Sequence, residues 1–330
     1  MELFNRFRDT VFLKKDSDLE KQLEELKTIR TQLENTDEID KNIKFVECGI
    51  IGEKNIEFEL KNANIGMYVL RDITLEYNNN KTQIDYMLFT RGGFYIIECK
   101  NLVGNIKVDN NGQFHREYEY KGKKIQEAMY SPYTQAERHQ DMIKKICSAN
   151  QSKLDNLIFG EHNGKDFYRP VVVLANPNSI LNTINAPENM KKDIIRADQL
   201  ISYIKKDIDS KKSSELYREK KLKEKAEEWL ARSVPNNTSM ANKYLNMVNE
   251  KNKKTTLEKE LKEFRKQKST SMKVPAYYIF TDEEMQKIIS LQPKSVEDLK
   301  IKEILSDIKI KYHGEEIIKI INKEEFKITL

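Results

Sequence analysis

Apolar positions along the chain fall into distinct regimes. From Asp16 to Ile43, Leu19, Leu23, Leu26, Ile29 and Leu33 recur at intervals of three and four. That spacing predicts an amphipathic helix, with Asp16, Ser17 or Asp18 as its cap, packing on the next domain or on a second copy of the chain. From Lys44 to Lys206 helical and strand-like patterns alternate, which places this region in the α/β class. Ile50-Ile-Gly-Glu53-Lys-Asn-Ile-Glu-Phe-Glu-Leu predicts a helix and Tyr68-Val-Leu-Arg-Asp-Ile-Thr-Leu a strand. Thr82 to Lys100 reads as a β-hairpin turning at Arg91-Gly92-Gly93. Strands follow at Asn105-Ile-Lys-Val and at Phe114–Tyr120, the latter ending in a Lys121-Gly122 turn. Pro132 opens a helix running through Gln135. Tyr168-Arg-Pro-Val-Val-Val-Leu-Ala is a continuous apolar run, expected as a strand covered on both faces, and Ala197-Asp-Gln-Leu-Ile-Ser-Tyr-Ile closes the region as a helix.

The pattern then changes. Residues from about Lys206 to Thr256 predict a charged helical connector, broken near Ser233-Val-Pro-Asn-Asn-Thr-Ser. Trp229 and Leu230 require part of it to pack on something. From Leu257 to Ile321 the spacing predicts a compact helical unit. The expected organisation is an N-terminal amphipathic helix (1–43), an α/β domain (44–206), a basic helical connector (207–256) and a C-terminal helical domain (257–330).

Charge sharpens that division. The chain has 330 residues and a formal net charge of only +5. Lys211 to Pro275 alone holds about 18 basic against 9 acidic residues, so the remainder is slightly acidic. No run approaches the ~18–20 apolar residues that cross a bilayer, so no membrane span is expected. The charged N-terminus has no apolar signal core. Its first turns have an amphipathic pattern, but a membrane-surface role is the weaker reading. Cys48, Cys99 and Cys147 are dispersed and match no zinc spacing, which points to a reducing cytoplasm.

The hairpin holds the candidate chemistry. Residues two apart share a strand face, so Glu98 and Lys100 point the same way. With the turn near Arg91-Gly92, Asp85 falls opposite Glu98 or Cys99. A Glu-x-Lys tripeptide alone is more often a solvated edge strand. Here the flanks Tyr86-Met-Leu-Phe89 and Tyr95-Ile-Ile97 argue for a covered one. Buried charge needs compensation, and a divalent cation is a natural candidate. Gly52-Glu53 on the upstream helix and Gln135 on the downstream helix are placed to face the same sheet end.

Gly52-Glu53, Gln83-Ile-Asp85, Ile97-Glu98-Cys-Lys100 with Asn101, and Gln135-Ala-Glu-Arg-His139, in that order, resemble the pattern of the nuclease-related domain (NERD) family. That family belongs to the restriction-endonuclease-like, PD-(D/E)xK superfamily, and the resemblance runs from about Lys44 to Lys206. It implies a mixed sheet flanked by helices and a magnesium-dependent nuclease site, with Mn²⁺ as the alternative metal. Glu53, Asp85, Glu98 and Lys100 would be the active-site residues, supported by Gln135. Asp85, Glu98 and the Cys99 carbonyl can supply hard oxygen ligands, with Glu53 holding the ion through water or binding a second one. Lys100 would orient the attacking water or stabilise the phosphoryl oxygens. One metal or two is open. For His139, a surface or core-satisfied histidine weighs at least as heavily as a phosphate contact; His115, His162 and His313 carry no signal.

Val274-Pro-Ala-Tyr-Tyr-Ile-Phe280-Thr-Asp282, Pro293-Lys-Ser295 and Tyr312-His-Gly314 resemble the helicase-and-RNase-D C-terminal (HRDC) domain, a small helical bundle often used as an auxiliary nucleic-acid-binding module. Where such domains often carry a Gly-rich turn, this chain has Ile301-Lys-Glu-Ile-Leu-Ser-Asp-Ile-Lys. Contact through backbone N–H groups is therefore weakened, leaving lysine contacts to DNA or a protein partner. The connector lysines Lys220-Lys221, Lys251, Lys253 and Lys254 track phosphates or form a solvated face with equal weight. The expected function is Mg²⁺-dependent hydrolysis of DNA by in-line water attack, leaving phosphate ends. The rivals are a DNA-binding or scaffold protein with weak or partner-gated cleavage, and a ribonuclease. Homo-oligomerisation is open.

Overall fold

The computed structural model describes residues 7–33, 35–150, 168–236 and 240–326. His162 and the first six residues lie outside the described residues. The chain divides into two compact units: residues 1–28 with 35–240, and residues 241–330 with 29–34.

The first unit is built on a six-stranded mixed sheet. In chain order its elements are β1 (Thr10–Lys14), α1 (Asp18–Arg30), α2 (Asp37–Lys61), β2 (Met67–Tyr77), β3 (Asn80–Thr90), β4 (Gly93–Lys100), β5 (Asn105–Val108), β6 (Phe114–Tyr120), β7 (Lys123–Met129), α3 (Pro132–Asn150), β8 (Tyr168–Leu174), β9 (Ile180–Asn182), β10 (Ile194–Arg196), α4 (Leu200–Asp209) and α5 (Glu219–Ala231). The strand order is β1-β2-β3-β4-β8-β10. The β2-β3-β4 meander is antiparallel, whereas β1 runs parallel to β2, β8 to β4 and β10 to β8. A smaller sheet, β7-β6-β5-β9, stands beside it.

Strand alternation divides the core into two layers. Val69, Tyr86, Leu88, Tyr95, Ile97, Val171 and Val173 pack with Ile56 and Leu60 of α2 and Leu200 and Ile204 of α4. Leu70, Met87, Phe89, Phe94 and Ile96 pack with Ile143 and Ile146 of α3 and Leu222, Ala226 and Trp229 of α5. The central strands are therefore covered on both faces, and polar side chains have solvent access only near strand ends.

The structure departs from the sequence reading at both flanks of this unit. The N-terminal segment is not one helix over 1–43: Thr10–Lys14 pairs with Met67–Leu70 as the sheet's edge strand, and two helices follow. The apolar side chains of Phe12, Val11 and Leu13 pack against the two core layers, which makes a strand the better use of this short run. Nor is 207–256 a separate connector. Its first half, α5, belongs to the sheet's core, with Trp229 1% exposed and its indole Nε1 donating to Tyr168 Oη at 2.6 Å. Truncating a side chain this buried costs about 3–5 kcal/mol, so α5 is integral to the unit.

The second half of that segment begins α6 (Ala241–Met272), the long helix of the second unit. There, α7 (Asp282–Leu291), α8 (Val296–Ile301) and α9 (Asp307–Phe326) enclose a core with Leu261, Phe280, Met285, Ile288, Leu299 and Ile317 at its centre. Thr281 and Glu284 form a capping box at the start of α7, and Ser295 caps α8. Among the described residues, no helix is long and apolar enough to cross a membrane.

Candidate functional site

The pairing of β3 with β4 runs from Thr90↔Gly93 to Tyr86↔Ile97 and stops one step short of Asp85 and Glu98. The reason lies in β3 and its other neighbour. Tyr86 and Leu88 belong to the layer under α2, yet Ile84 belongs to the opposite layer, so the alternation changes phase at Asp85. On β2 the same change occurs at Asp72, the position across from Asp85, which adopts the left-handed conformation with φ 55°. Aspartate tolerates that conformation better than most residues because its carboxylate bonds locally. Asp72 is held by Gln83 Nε2 at 2.6 Å and by the backbone N–H of Asp18 at the start of α1.

The phase change leaves the Asp85 carboxylate in the gap between the strands. Its Oδ2 accepts the backbone N–H of Cys99 at 2.7 Å, replacing a ladder bond. Glu98, 1% exposed, and Lys100 share the α3 face of β4, and Lys100 Nζ donates to Glu98 Oε1 at 2.6 Å and to Gln135 Oε1 at 3.2 Å. The other Glu98 oxygen lies 3.1 Å from His139 Nε2. One turn after Gln135 on α3, His139 is buried, and its Nδ1 is 2.6 Å from Thr82 Oγ1. With Glu98 ionised, Nε2 carries the proton and Nδ1 accepts from the threonine hydroxyl. His139, whose role the sequence left undecided, therefore orients Glu98 from below. His115 is half-buried against Asp109, in the small sheet.

Helix α2 closes the other side. A Cβ on Gly52 would lie 2.7 Å from Asn101 Cβ and 3.2 Å from Cys99 Sγ, so glycine permits the helix to sit directly on the end of β4. The next residue, Glu53, is buried, and its backbone carbonyl accepts the Tyr86 hydroxyl at 2.8 Å. Its side chain is committed elsewhere: Glu53 Oε2 accepts Arg71 Nε at 2.8 Å and lies 2.7 Å from Arg71 Nη2. Sequence reading passed over Arg71. Its signal was the pair Arg71-Asp72 inside an apolar strand, the same signature that singled out Glu98 and Lys100.

The electrostatics are unbalanced. Burial pushes the Asp85 carboxyl well above the ordinary carboxylate range, and the negative charges of Glu98 and Glu53 push it further, against the Cys99 N–H and Lys100. Burial also raises Glu53, although Arg71 opposes the rise. For Lys100, burial disfavours the ammonium, but Glu98 more than offsets it and the net shift is upward. Burial keeps the Cys99 thiol well above its usual value, and therefore protonated.

Asp85 thus feels two further carboxylates, Glu98 and Glu53, with Lys100 and Arg71 as the permanent cations. Among the described residues, no three His, Cys, Asp or Glu side chains are gathered into a ready-made metal cage. Both Glu98 oxygens have protein partners, and Glu53 faces Arg71. The donor set is nonetheless hard oxygen with surplus negative charge, the chemistry that suits Mg²⁺ or Mn²⁺.

The family model of the nuclease-related domain (NERD) matches residues 49–175, and that of the HRDC domain matches residues 254–321. The first span contains Glu53, Asp85, Glu98, Lys100 and Gln135; the second covers α7 and α8 whole, with the later part of α6 and most of α9. No curated protein and no solved structure matches the chain. The chain carries a nuclease-related domain followed by an HRDC domain.

Proposed function

We propose that the first unit is a metal-dependent nuclease that hydrolyses DNA phosphodiesters, and that the second is an accessory module for nucleic acid or a protein partner. The observation that carries this reading is the convergence of Asp85, Glu98, Lys100 and Gln135 at one sheet end with unbalanced negative charge. A divalent cation, Mg²⁺ or Mn²⁺, held by Asp85, Glu98 and the Cys99 carbonyl would supply an acidified water and neutralise charge on the phosphate. Glu53, paired with Arg71 here, would reach the ion only through water or hold a second one.

The chain's own residues divide the remaining work. Lys100 has three N–H donors, two of them directed to Glu98 and Gln135, which leaves one for a phosphoryl oxygen or the attacking water. Its upward shift keeps it cationic near neutrality, so it acts as a donor and charge stabiliser and not as a base. Gln135 fixes the ammonium, and His139 with Thr82 fixes Glu98. The dispersed free cysteines support a reducing, cytoplasmic setting.

The test is purified full-length protein with linear and plasmid DNA, and RNA in parallel, in Mg²⁺ or Mn²⁺ against EDTA. Metal-dependent cleavage lost in Asp85→Ala supports the reading, and cleavage that survives the substitution refutes it. One observation favours a second reading, a DNA-binding protein whose cleavage a partner gates: Lys100 and His139 already occupy both Glu98 oxygens. Tight DNA binding without cleavage under any cation would select it.

A further inference from the structure

Beside α2 lies a cleft of about 390 Å³ lined by the side chain of Arg71, a residue only 2% exposed. The guanidinium has five N–H donors. Nε donates to Glu53 Oε2 at 2.8 Å, and Nη1 donates to the Lys15 carbonyl at 3.1 Å. Nη2 lies 2.7 Å from the same Glu53 oxygen, but it is buried and makes no hydrogen bond of acceptable geometry. One carboxylate oxygen is serving two nitrogens, and the two-oxygen fork that arginine prefers is not formed. Glu57 does not complete it. Its Oε2 stands 3.6 Å from Arg71 Nη1, and its Oε1 is held by Lys61 at 2.5 Å.

The rest of the lining is mixed in charge: Lys15, Lys54 and Lys61 share the cleft with Asp16, Glu20 and Glu57, and Glu20 Oε1 stands 3.8 Å from Arg71 Nη2, too far for a hydrogen bond. The side chains of Lys15 and Lys54 are 57% and 60% exposed, and their closest acidic partners are 3.6 and 3.7 Å away, loose pairs that a ligand can displace. The Phe58 side chain also lines the cleft, and the residue is 65% exposed. A flat, unpacked ring beside displaceable ammoniums and an under-satisfied guanidinium matches a phosphate with its attached base.

We propose that this cleft is a nucleotide-binding site that takes a phosphate group against Arg71, Lys15 and Lys54 and the adjoining base on Phe58. An occupying phosphate competes with Glu53 for Arg71. The Glu53 backbone carbonyl accepts the hydroxyl of Tyr86, the chain neighbour of Asp85, at 2.8 Å, so occupancy is coupled to the sheet end. That coupling rests on the nuclease reading, whereas the binding does not. The phosphate has two possible sources, the 5′ end of a DNA strand or a free nucleotide.

Binding is measured by calorimetry on the full chain in EDTA, with dAMP, a short 5′-phosphorylated DNA strand and the same strand bearing a 5′-hydroxyl. The phosphorylated strand is expected to bind about tenfold tighter than its hydroxyl counterpart, as a charge-assisted hydrogen bond would give. The double variant Lys15→Gln/Lys54→Gln, at two exposed positions, is expected to remove that advantage with an unchanged thermal midpoint. Equal affinity for dAMP and the phosphorylated strand identifies the free nucleotide as the source; preference for the strand identifies its end. Equal binding of the two strands together with no dAMP binding, or an unchanged affinity in the double variant, overturns the site. Glu53→Gln frees Arg71 and is expected to tighten phosphate binding about three- to tenfold; an unchanged or weaker affinity overturns the coupling. Since the assay contains neither metal nor cleavage, failure of the cleft leaves the nuclease reading standing, and an inactive sheet end leaves the cleft standing.

Discussion

Strand β4 carries a polar cluster at each end, and the two differ in how closely their acids press on one another. At its start, the Tyr95 hydroxyl donates to Asp207 Oδ2 at 2.6 Å, and Arg169 Nη2 meets the other Asp207 oxygen at 3.2 Å. Arg169 also donates to the Tyr203 hydroxyl, which donates in turn to Asp193 Oδ1 at 2.5 Å. Each acid has a donor, and Arg169 lies over the rings of both tyrosines. At the far end, Glu98 and Glu53 both press on Asp85, which has the backbone N–H of Cys99 and the charge of Lys100 to offset them. A closed network holds a fold together. A network with surplus charge of one sign costs stability unless something else binds there, and such clusters mark functional sites.

The largest expected effect separates the two ends. Glu98→Gln should lower Mg²⁺-dependent cleavage by about 10³-fold or more, since several kcal/mol of charge stabilisation depend on it, with little change in thermal midpoint. Asp207→Asn should do the reverse. It leaves Arg169 and Tyr95 short of a partner, lowers stability by about 2 kcal/mol and leaves cleavage per folded molecule within about twofold. Equal losses of activity in both variants would break the comparison.

Smaller effects sharpen it. Lys100→Met should reduce kcat by about 10²–10³-fold, the usual range for one lost donor to developing charge. Gln135→Ala, one step further from the phosphate, should cost about 10–100-fold, mostly in kcat, because it positions Lys100 without reaching the substrate itself. A Gln135→Ala loss confined to KM would place the glutamine in substrate binding instead.

Much of this site was legible in the sequence because it follows from strand periodicity. Glycines at the turn set the register, the register put Asp85 across from Glu98 or Cys99, and two-residue alternation put Lys100 beside Glu98. What escaped depends on tertiary contacts. Thr10–Lys14 is too short and too mixed to announce a strand, and only the exposed edge of β2 makes it one. Trp229 demanded a packing partner, but nothing local identified it as Tyr168. The phase change at Asp72 and Asp85 breaks the alternation on which the reading relied, so Arg71 and its pairing with Glu53 stayed hidden. His139 was ambiguous because a histidine four residues after Gln135 faces the sheet in either reading; the contact with Glu98 decides its role.

The smallest effect probes the charge imbalance in the absence of metal. The folded chain holds the Asp85 carboxyl above its ordinary value, so between the two values the native state binds more protons than the unfolded state. Stability contributed at this position is therefore present at low pH and is lost as pH rises through that window. In EDTA, Asp85→Asn should raise the thermal midpoint by about 2–4 °C at pH 8 and by less at pH 5. Asp207→Asn should show no such gain at any pH.

The central claim is that the acids at the end of β4 form a divalent-cation site. Calorimetric titration of Mn²⁺ into wild-type protein and into Asp85→Asn, in buffers of different ionisation enthalpy, tests it most directly. Saturable binding to wild type is expected, with proton release that grows as pH is lowered, because the cation competes with the proton that burial and the neighbouring acids favour on Asp85, and an affinity at least about tenfold weaker in the variant. No saturable binding to wild type, or equal affinity in the two proteins, would contradict it.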